Sequence, residues 1–287
     1  MAMTRLERNE SLIRLGLLMI AFSAVSVLAV ITLFIFREGT PIMVKYGLDK
    51  FLLGMDWYPS EKSFGLLPMI VGSLAVTAGA LGISIPLGLA CAIFLTEFSS
   101  QGVRRVVKPM IELLAGIPSV VYGFMGVVIL VPFIRETMGG PGLSVLAASI
   151  VLGIMVLPTI LSISIDSLEA VPRAYREGSI ALGATRWQTT RMVMIPAAKS
   201  GIIASIILGM GRAVGETMAV IMVAGNAAAI PGSVTDPVRT LTSNIALEMG
   251  YAAGEHREAL FATGVVLFVI IMILNTAANL TSLRRKS

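Results

Sequence analysis

Arg212 and Glu216 are the residues whose types and spacing most clearly suggest chemistry, because both lie within GRAVGETMAV (residues 211–220), between apolar stretches. An ionised side chain at the centre of a bilayer costs about 2.5–3.5 kcal/mol on insertion scales. On an α-helix, residues four positions apart share a face, so this guanidinium and this carboxylate can pair directly. The two residues therefore predict either a neutralised structural pair or a polar site on a route through the membrane.

The sequence around this pair predicts an all-α, polytopic membrane protein. Of the 287 residues, 56% are hydrophobic and only 14% are charged, unlike a soluble globular domain. Five long runs contain no Asp, Glu, Lys, Arg or His: 15–36, 63–96, 113–134, 137–165 and 259–283. A helix needs about 20 apolar residues to cross a hydrocarbon core of about 30 Å, and each run is long enough. The runs lack the alternation of a membrane β-barrel.

Arg212 and Glu216 interrupt a sixth apolar stretch, which predicts one further helix over about 196–225 and six transmembrane helices in total. If the N-terminus is cytoplasmic, 14 of the 22 Lys and Arg lie on the inside and 7 on the outside. This excess of inside charge predicts that both termini are cytoplasmic and that the chain is integral to the plasma membrane, the inner membrane of a bacterium. The formal net charge of +5 then needs no nucleic acid.

The predicted organisation follows from these spans. Residues 1–14 form a cytoplasmic N-terminus, 15–36 the first transmembrane helix, and 37–66 a periplasmic segment. Residues 67–287 form a core with five transmembrane helices, a cytoplasmic loop at 166–199 and a periplasmic loop at 226–258.

Residues suited to catalysis are scarce. His256 has no second imidazole or thiol near it in sequence, Cys91 lies within an apolar run, and no Gly-Lys pair exists to build a phosphate-binding loop. We therefore expect no catalytic residue, no metal site and no cofactor in this chain.

The cytoplasmic loop is too organised for a simple linker. In VPRAYREGSIALGATRWQTTRMVMIP (residues 171–196), Pro172 suits a helix start, Gly183 suits a helix stop, and Thr185 with Gln188 has capping-box spacing. Two short helices would then project Ile180, Ala181 and Leu182 outward. Such a tip could dock into a groove of a partner protein, or the helix could lie on the lipid surface.

The same loop resembles the EAA loop of binding-protein-dependent ABC importer permeases. That pattern is Glu-Ala-Ala, three residues, Gly, nine residues, then Ile-x-Leu-Pro, and Glu177, Gly183 and Pro196 match it with the spacing intact. The departures are Gly178 and Ser179 for Ala-Ala, Val193 for Ile and Ile195 for Leu. The resemblance implies the type I (MetI-like) importer fold and a loop that docks into a separate ATPase. The residues implied in this coupling are Glu177, Ile180, Ala181, Leu182, Gly183, Ala184, Thr185 and Pro196.

Two longer stretches are similar to permeases of the phosphate-specific transport system: AGIPSVVYGFMG (115–126) and GRAVGETMAVIMVAGN (211–226). Within that system, RAVGETMAV (212–220) and LTSNIALEMG (241–250) resemble the PstC-type subunit. The resemblance implies that the substrate is inorganic phosphate and that the partners are a homologous second permease, two ATP-binding subunits that hold ATP and Mg²⁺, and a periplasmic or lipid-anchored phosphate-binding protein. Alternatives are an importer of sulfate, molybdate or tungstate, a channel or secondary carrier, and an assembly subunit.

The resemblance to phosphate permeases suggests a role for Arg212 and Glu216. A guanidinium suits bidentate contact with phosphate, so we hypothesise that Arg212 lines the route as a transient anion site, oriented and weakened by Glu216. Glu216 could also favour phosphate over sulfate by accepting a hydrogen bond from the protonated oxygen that phosphate carries and sulfate lacks. The structural alternative is an ion pair that locks the helix into the bundle, with Gly211 and Gly215 allowing another helix to approach closely.

Overall fold

The computed structural model of the chain describes residues 5–283. Residues 1–4 and 284–287 lie outside this range, including Arg284, Arg285 and Lys286, which count toward the predicted inside charge. The fold is almost entirely helical. The α-helices are α1 (Arg5–Tyr46), α2 (Leu48–Leu53), α3 (Leu67–Ile93), α4 (Gln101–Ala115), α5 (Ser119–Met125), α6 (Val131–Met138), α7 (Val145–Glu169), α8 (Arg173–Ala181), α9 (Arg186–Thr189), α10 (Ile195–Ala197), α11 (Lys199–Gly215), α12 (Met218–Val223), α13 (Leu241–Glu248) and α14 (Glu255–Leu283).

Shorter elements link these helices. Single π-helical turns lie at Phe94–Phe98, Gly126–Leu130 and Thr190–Met194, and a 3₁₀ turn lies at Pro59–Glu61. An antiparallel hairpin joins β1 (Trp57–Tyr58) to β2 (Ser63–Phe64), with Trp57 opposite Phe64. We call the end of the bundle near β1, β2 and α13 the hairpin end, and the end near α4, α8 and α9 the α8–α9 end.

The core is built on the crossing of α3 with α7. Both helices are long and almost entirely apolar, and small residues let them approach closely. A Cβ at Gly79 of α3 would lie 2.3 Å from the hydroxyl of Ser149 on α7, so only glycine fits there. The buried side chains around this crossing include Val76, Leu152 and Ile160. On the outside, α1 packs against α14, and a Cβ at Gly39 would lie 2.7 Å from the backbone of Ala262.

Five helical segments of the described chain are long and apolar enough to span a membrane: Ile13–Tyr46, Leu67–Phe98, Ser119–Met138, Val145–Glu169 and Glu255–Ala278. They correspond to the five charge-free runs. The first helix continues ten residues beyond the predicted boundary at Phe36.

The sixth predicted span exists only as a bent assembly. Residues 186–197 and Lys199–Gly215 pass the same length and hydropathy criteria together, with a bend of 68° between them. The prediction of one continuous helix over 196–225 is therefore wrong. The chain breaks again after Gly215, where Glu216 has an extended backbone (φ −69°, ψ 131°) and α12 starts only at Met218.

Trp57 is part of the packed hairpin end. Its side chain is 5% exposed, and its indole nitrogen donates a 2.8 Å hydrogen bond to Oε2 of Glu248 on α13. His256 lies 2.8 Å from the same carboxylate oxygen, and Arg239 forms a 2.7 Å ion pair with Oε1. This contact accounts for the single histidine as a structural residue.

Replacing Trp57 by phenylalanine should lower the free energy of unfolding by about 1–3 kcal/mol, because the buried carboxylate of Glu248 loses a donor while the aromatic packing persists. The apparent melting temperature of the purified protein measures this. Tyr58→Phe is the matched control, because Tyr58 is 57% exposed. Equal melting temperatures for the two variants would contradict the assignment.

Candidate functional site

Arg212 and Glu216 do not form the predicted ion pair. No ion pair among the side chains that the structure describes includes either of them. The reason is local: α11 ends at Gly215, so Glu216 lies outside the helix that carries Arg212, and the helical spacing of four no longer places them on one face. The interpretation as a neutralised structural pair is therefore wrong.

Glu216 instead shapes the break between the two helices. Its Oε1 accepts a 3.2 Å hydrogen bond from the backbone nitrogen of Ala219, in the first turn of α12. Its backbone carbonyl accepts a 3.0 Å hydrogen bond from the hydroxyl of Thr242 on α13. An acidic side chain that caps the next helix competes with continuation of the previous one. Glu216 is thus a capping residue at the helix break that interrupts the sixth apolar stretch.

Arg212 projects from α11 as an exposed side chain. Its nearest hydrogen-bonding partner in the described chain is the hydroxyl of Thr159, 3.5 Å from Nη1, which is a long and weak contact. Thr159 lies near the middle of α7, so the guanidinium is at mid-bundle depth. The guanidinium thus keeps most of its donors available for a ligand at mid-bundle depth.

Gly211 and Gly215 have no close neighbour in the described chain. A Cβ built on either glycine would meet no atom within 4 Å. They do not pack against another helix of this chain, and close packing at these glycines remains a prediction for a second chain.

The loop predicted at 166–199 has the predicted local structure. Pro172 precedes the first residue of α8, and Gly183 follows that helix with φ +86°, a conformation that glycine adopts readily. The Thr185 hydroxyl and the Gln188 side chain form the reciprocal capping box at the start of α9. The sequence therefore predicted both helix ends correctly.

The tip between α8 and α9 is apolar and exposed. Leu182 is 91% exposed and Ile180 is 49% exposed, and Ala181 and Glu177 are exposed as well. An isolated leucine with this exposure stabilises nothing within the chain, so the tip is suited to a partner or to lipid. Pro196 is exposed on α10, at the far end of the same segment.

An ion pair that the sequence did not predict connects α8 to the bundle. Arg176, next to Glu177, lies 2.5 Å from Oε1 of Glu97 in the π-helical turn that ends the α3 span. The Glu97 side chain is 6% exposed, whereas that of Arg176 is 41% exposed. The only sequence signal is that Glu97 is the first charge after a long apolar run. No spacing rule relates two residues 79 positions apart.

Because Glu97 is buried and Arg176 is partly exposed, substitutions of the two residues should have unequal effects on stability. Arg176→Gln should lower the free energy of unfolding by about 3 kcal/mol, because the buried Glu97 carboxylate loses its countercharge. Glu97→Gln should lower it by only about 1 kcal/mol, because Arg176 can turn toward solvent. Apparent melting temperatures of the two purified variants measure the difference. A larger loss for Glu97→Gln would contradict this account of how α8 is held.

A second set of charges joins α4 to the end of α7. Nζ of Lys108 donates to Oδ1 of Asp166 at 3.0 Å, and Arg104 pairs with Glu169 at 2.6 Å. The hydrogen bond to Asp166 raises the pKa of Lys108 above its ordinary value. Asp166 therefore acts in a contact between helices, a role that its position in the sequence did not indicate.

Among the residues that the structure describes, no group of three or more His, Cys, Asp or Glu side chains could hold a metal ion. The candidate site thus consists of an available guanidinium at mid-bundle depth, a capping carboxylate at the adjacent helix break, and an exposed apolar tip at the α8–α9 end.

The chain is similar to known proteins over most of its length. The sequence model of a family described as "Binding-protein-dependent transport system inner membrane component" matches residues 84–286. The chain is 44% identical over 278 residues to "Probable ABC transporter permease protein YqgH" of Bacillus subtilis, covering 94% of this chain and 88% of that protein. It is 38% identical over 255 residues to "Phosphate transport system permease protein PstC" of Mesorhizobium japonicum, covering 82% of this chain and 78% of that protein.

Solved structures show the same fold. A bacterial ABC transporter involved in the import of the acidic polysaccharide alginate matches with a TM-score of 0.62 at 15% identity, covering 97% of this chain and 99% of that chain. The inward-facing MetNI methionine ABC transporter matches with a TM-score of 0.60 at 21% identity, covering 75% of this chain and 93% of that chain. The fold predicted from the resemblance is therefore confirmed as that of ABC importer permeases.

Proposed function

Because the chain belongs to the family of inner membrane components of binding-protein-dependent transport systems, we propose that it is a permease subunit of an ATP-driven importer of inorganic phosphate. Relatives of 36–38% identity over most of the chain carry the name of the phosphate transport permease PstC. The single structural observation that carries the proposal is the Arg212 guanidinium, which lies at mid-bundle depth without a carboxylate partner among the described side chains. A positive charge at this depth that no described carboxylate neutralises suits an anionic cargo.

The proposed arrangement places both termini and the α8–α9 end in the cytoplasm, and the hairpin end in the periplasm. A homologous second permease would complete the route, and Gly211 and Gly215 would let its helices approach closely. A binding protein, periplasmic or lipid-anchored, would deliver phosphate to the hairpin end. ATP and Mg²⁺ would bind to two separate ATPase subunits, so that this chain carries no catalytic residue of its own.

The exposed tip at Ile180, Ala181 and Leu182 would dock into a groove of one ATPase subunit. The ion pair between Arg176 and Glu97 ties α8 to the end of the α3 span, and α3 packs tightly on α7. Displacement of the docked tip would therefore shift the helices that bracket Arg212. Packed helices would thus connect the ATPase to the route, so that the route could open to the two sides of the membrane in turn, as alternating access requires.

In this mechanism Arg212 binds the oxyanion transiently through its parallel N–H donors. The contact with Thr159 is long, so phosphate would displace little of the existing hydrogen bonding. A single guanidinium gives a site weak enough to release its cargo, which conduction requires.

Glu216 would contribute to selectivity rather than orient Arg212. One of its carboxylate oxygens caps α12, and the other could accept a hydrogen bond from the O–H group that protonated phosphate carries and sulfate lacks. Glu216→Gln should therefore lower the ratio of phosphate to sulfate uptake roughly threefold, since an amide oxygen can still cap α12 but holds no negative charge. Glu216→Ala is the companion variant, which loses the cap as well. An unchanged ratio in Glu216→Gln would show that selectivity lies elsewhere.

Competition during uptake of labelled phosphate tests the cargo. The cells should lack their own high-affinity importer and carry this chain with its partner subunits. Arsenate should block uptake, and excess sulfate, molybdate or tungstate should not. Competition by one of the latter oxyanions would retain the importer and change its substrate.

A further inference from the structure

A polar cavity of about 300 Å³ lies at the α8–α9 end, apart from the mid-bundle site. It is enclosed by the end of the α3 span, α4, the end of α7 and the root of α8. The side chains that matter to its chemistry are Thr96, Arg104, Glu169, Arg173 and Arg176. We call this cavity the arginine pocket. Its volume exceeds the liquid volume of a water molecule, about 30 Å³, several-fold.

The arginine pocket has more donors than the chain can satisfy. Arg104 pairs with Glu169, and Arg176 pairs with Glu97 just outside the cavity. In both arginines the Nε–H group is buried without a hydrogen-bond acceptor. Orphaned charged donors of this kind are costly, which makes the pocket favourable for an added acceptor.

Arg173 adds the excess charge. The side chain of Arg173 makes no ion pair or hydrogen bond within the part of the chain that the structure describes, and it both lines the pocket and reaches solvent. The three guanidiniums of Arg104, Arg173 and Arg176 thus face only two carboxylates, which leaves one net positive charge. Arg173 is also the first residue of α8, so the positive end of the helix dipole lies beside the cavity.

We propose that the arginine pocket binds a phosphate group. Guanidiniums contact phosphate oxygens through paired N–H donors, and a tetrahedral group can accept from several arginines at once. Glu169 would weaken binding, but Arg104 already holds its carboxylate at 2.6 Å. Basic pockets between helices near a membrane surface are typical sites for anionic lipid headgroups. The group could belong to such a headgroup or to free inorganic phosphate.

A phosphate group bound in the arginine pocket would hold α8 and α4 together. A phosphate group held by Arg173 on α8 and Arg104 on α4 would bridge the root of the docking segment to a neighbouring helix. The site is separate from the route through Arg212, so it does not depend on phosphate being the cargo. Because binding favours the folded assembly, occupancy should also raise its melting temperature.

The test compares Arg173→Gln with Arg191→Gln in the full chain, purified with its partner subunits and without the binding protein. Arg191 is exposed on the adjacent π-helical turn and does not line the pocket, so it controls for the loss of one positive charge. All variants also carry Arg212→Gln, so that phosphate bound in the proposed route does not contribute. Native mass spectrometry would measure retained phosphatidylglycerol, and equilibrium dialysis would measure labelled inorganic phosphate.

We expect Arg173→Gln to weaken the binding of one of these two probes roughly tenfold, and Arg191→Gln to change neither by more than about twofold. A loss of phosphatidylglycerol would identify the source as a lipid headgroup, and a loss of inorganic phosphate would identify it as the free ion. If Arg173→Gln does not assemble, Arg173→Lys keeps the charge without the paired donors and should weaken the same probe roughly threefold. Unchanged binding of both probes, or equal losses in the Arg173 and Arg191 variants, would overturn the proposal.

Discussion

Replacing Arg212 by glutamine is expected to lower ATP-driven phosphate uptake at least tenfold, which corresponds to about 1.4 kcal/mol or more of lost stabilisation. Glutamine keeps a polar side chain of similar reach but lacks the charge and the paired donors that suit an oxyanion. The side chain is exposed and its contact with Thr159 is long, so the substitution removes little from the fold. Initial rates of labelled phosphate uptake, normalised to the amount of protein in the membrane, measure the effect.

Two comparisons separate this loss from a general charge effect. Arg37→Gln removes the same charge from an exposed arginine on α1, and uptake should stay within about twofold of the parent chain. Arg212→Lys keeps the charge without the fork geometry and should give an intermediate rate. A fall of less than about twofold for Arg212→Gln at normal abundance would remove Arg212 from the route.

Leu182→Ser should likewise abolish most of the uptake, again by about tenfold or more, because it removes the most exposed apolar side chain from the proposed docking tip. Leu182 is 91% exposed, so its loss costs the isolated chain almost no buried area. The defect should therefore appear as a failure to assemble with the ATPase. Co-purification of the ATPase with this chain measures it directly.

The control for this variant is Leu113→Ser. Leu113 is 74% exposed on α4, at the same end of the bundle but on another helix. It should leave co-purification and uptake nearly unchanged. If Leu182→Ser retains the ATPase and transports at the parent rate, the tip faces lipid, as the amphipathic-helix interpretation of the sequence would have it.

Local sequence signals predicted much of the fold. The five charge-free runs correspond to helices, because the length of an apolar run is a direct measure of its capacity to span a bilayer. At the α8–α9 end, Gly183 and the pair Thr185 and Gln188 fixed the helix ends correctly, because caps and left-handed turns depend on residues only a few positions apart.

The arrangement of the candidate site depended on contacts that no local pattern encodes. The spacing of Arg212 and Glu216 predicted an ion pair on the condition that one helix carries both residues. That helix ends at Gly215, and Glu216 caps the next helix instead. The partners of buried charges were equally hidden. Glu97 pairs with Arg176, 79 positions away, and Glu248 binds Trp57, 191 positions away. Such pairs are set by tertiary packing, which a single sequence does not display.

The most direct test of the central claim is uptake of labelled phosphate in cells that lack their own high-affinity importer and carry this chain with its partners, with the ATPase either active or inactivated. We expect concentrative phosphate uptake with the active ATPase and loss of that uptake when ATP hydrolysis is blocked. Uptake that persists without ATP hydrolysis would contradict this expectation and would identify the chain as part of a channel or a secondary carrier.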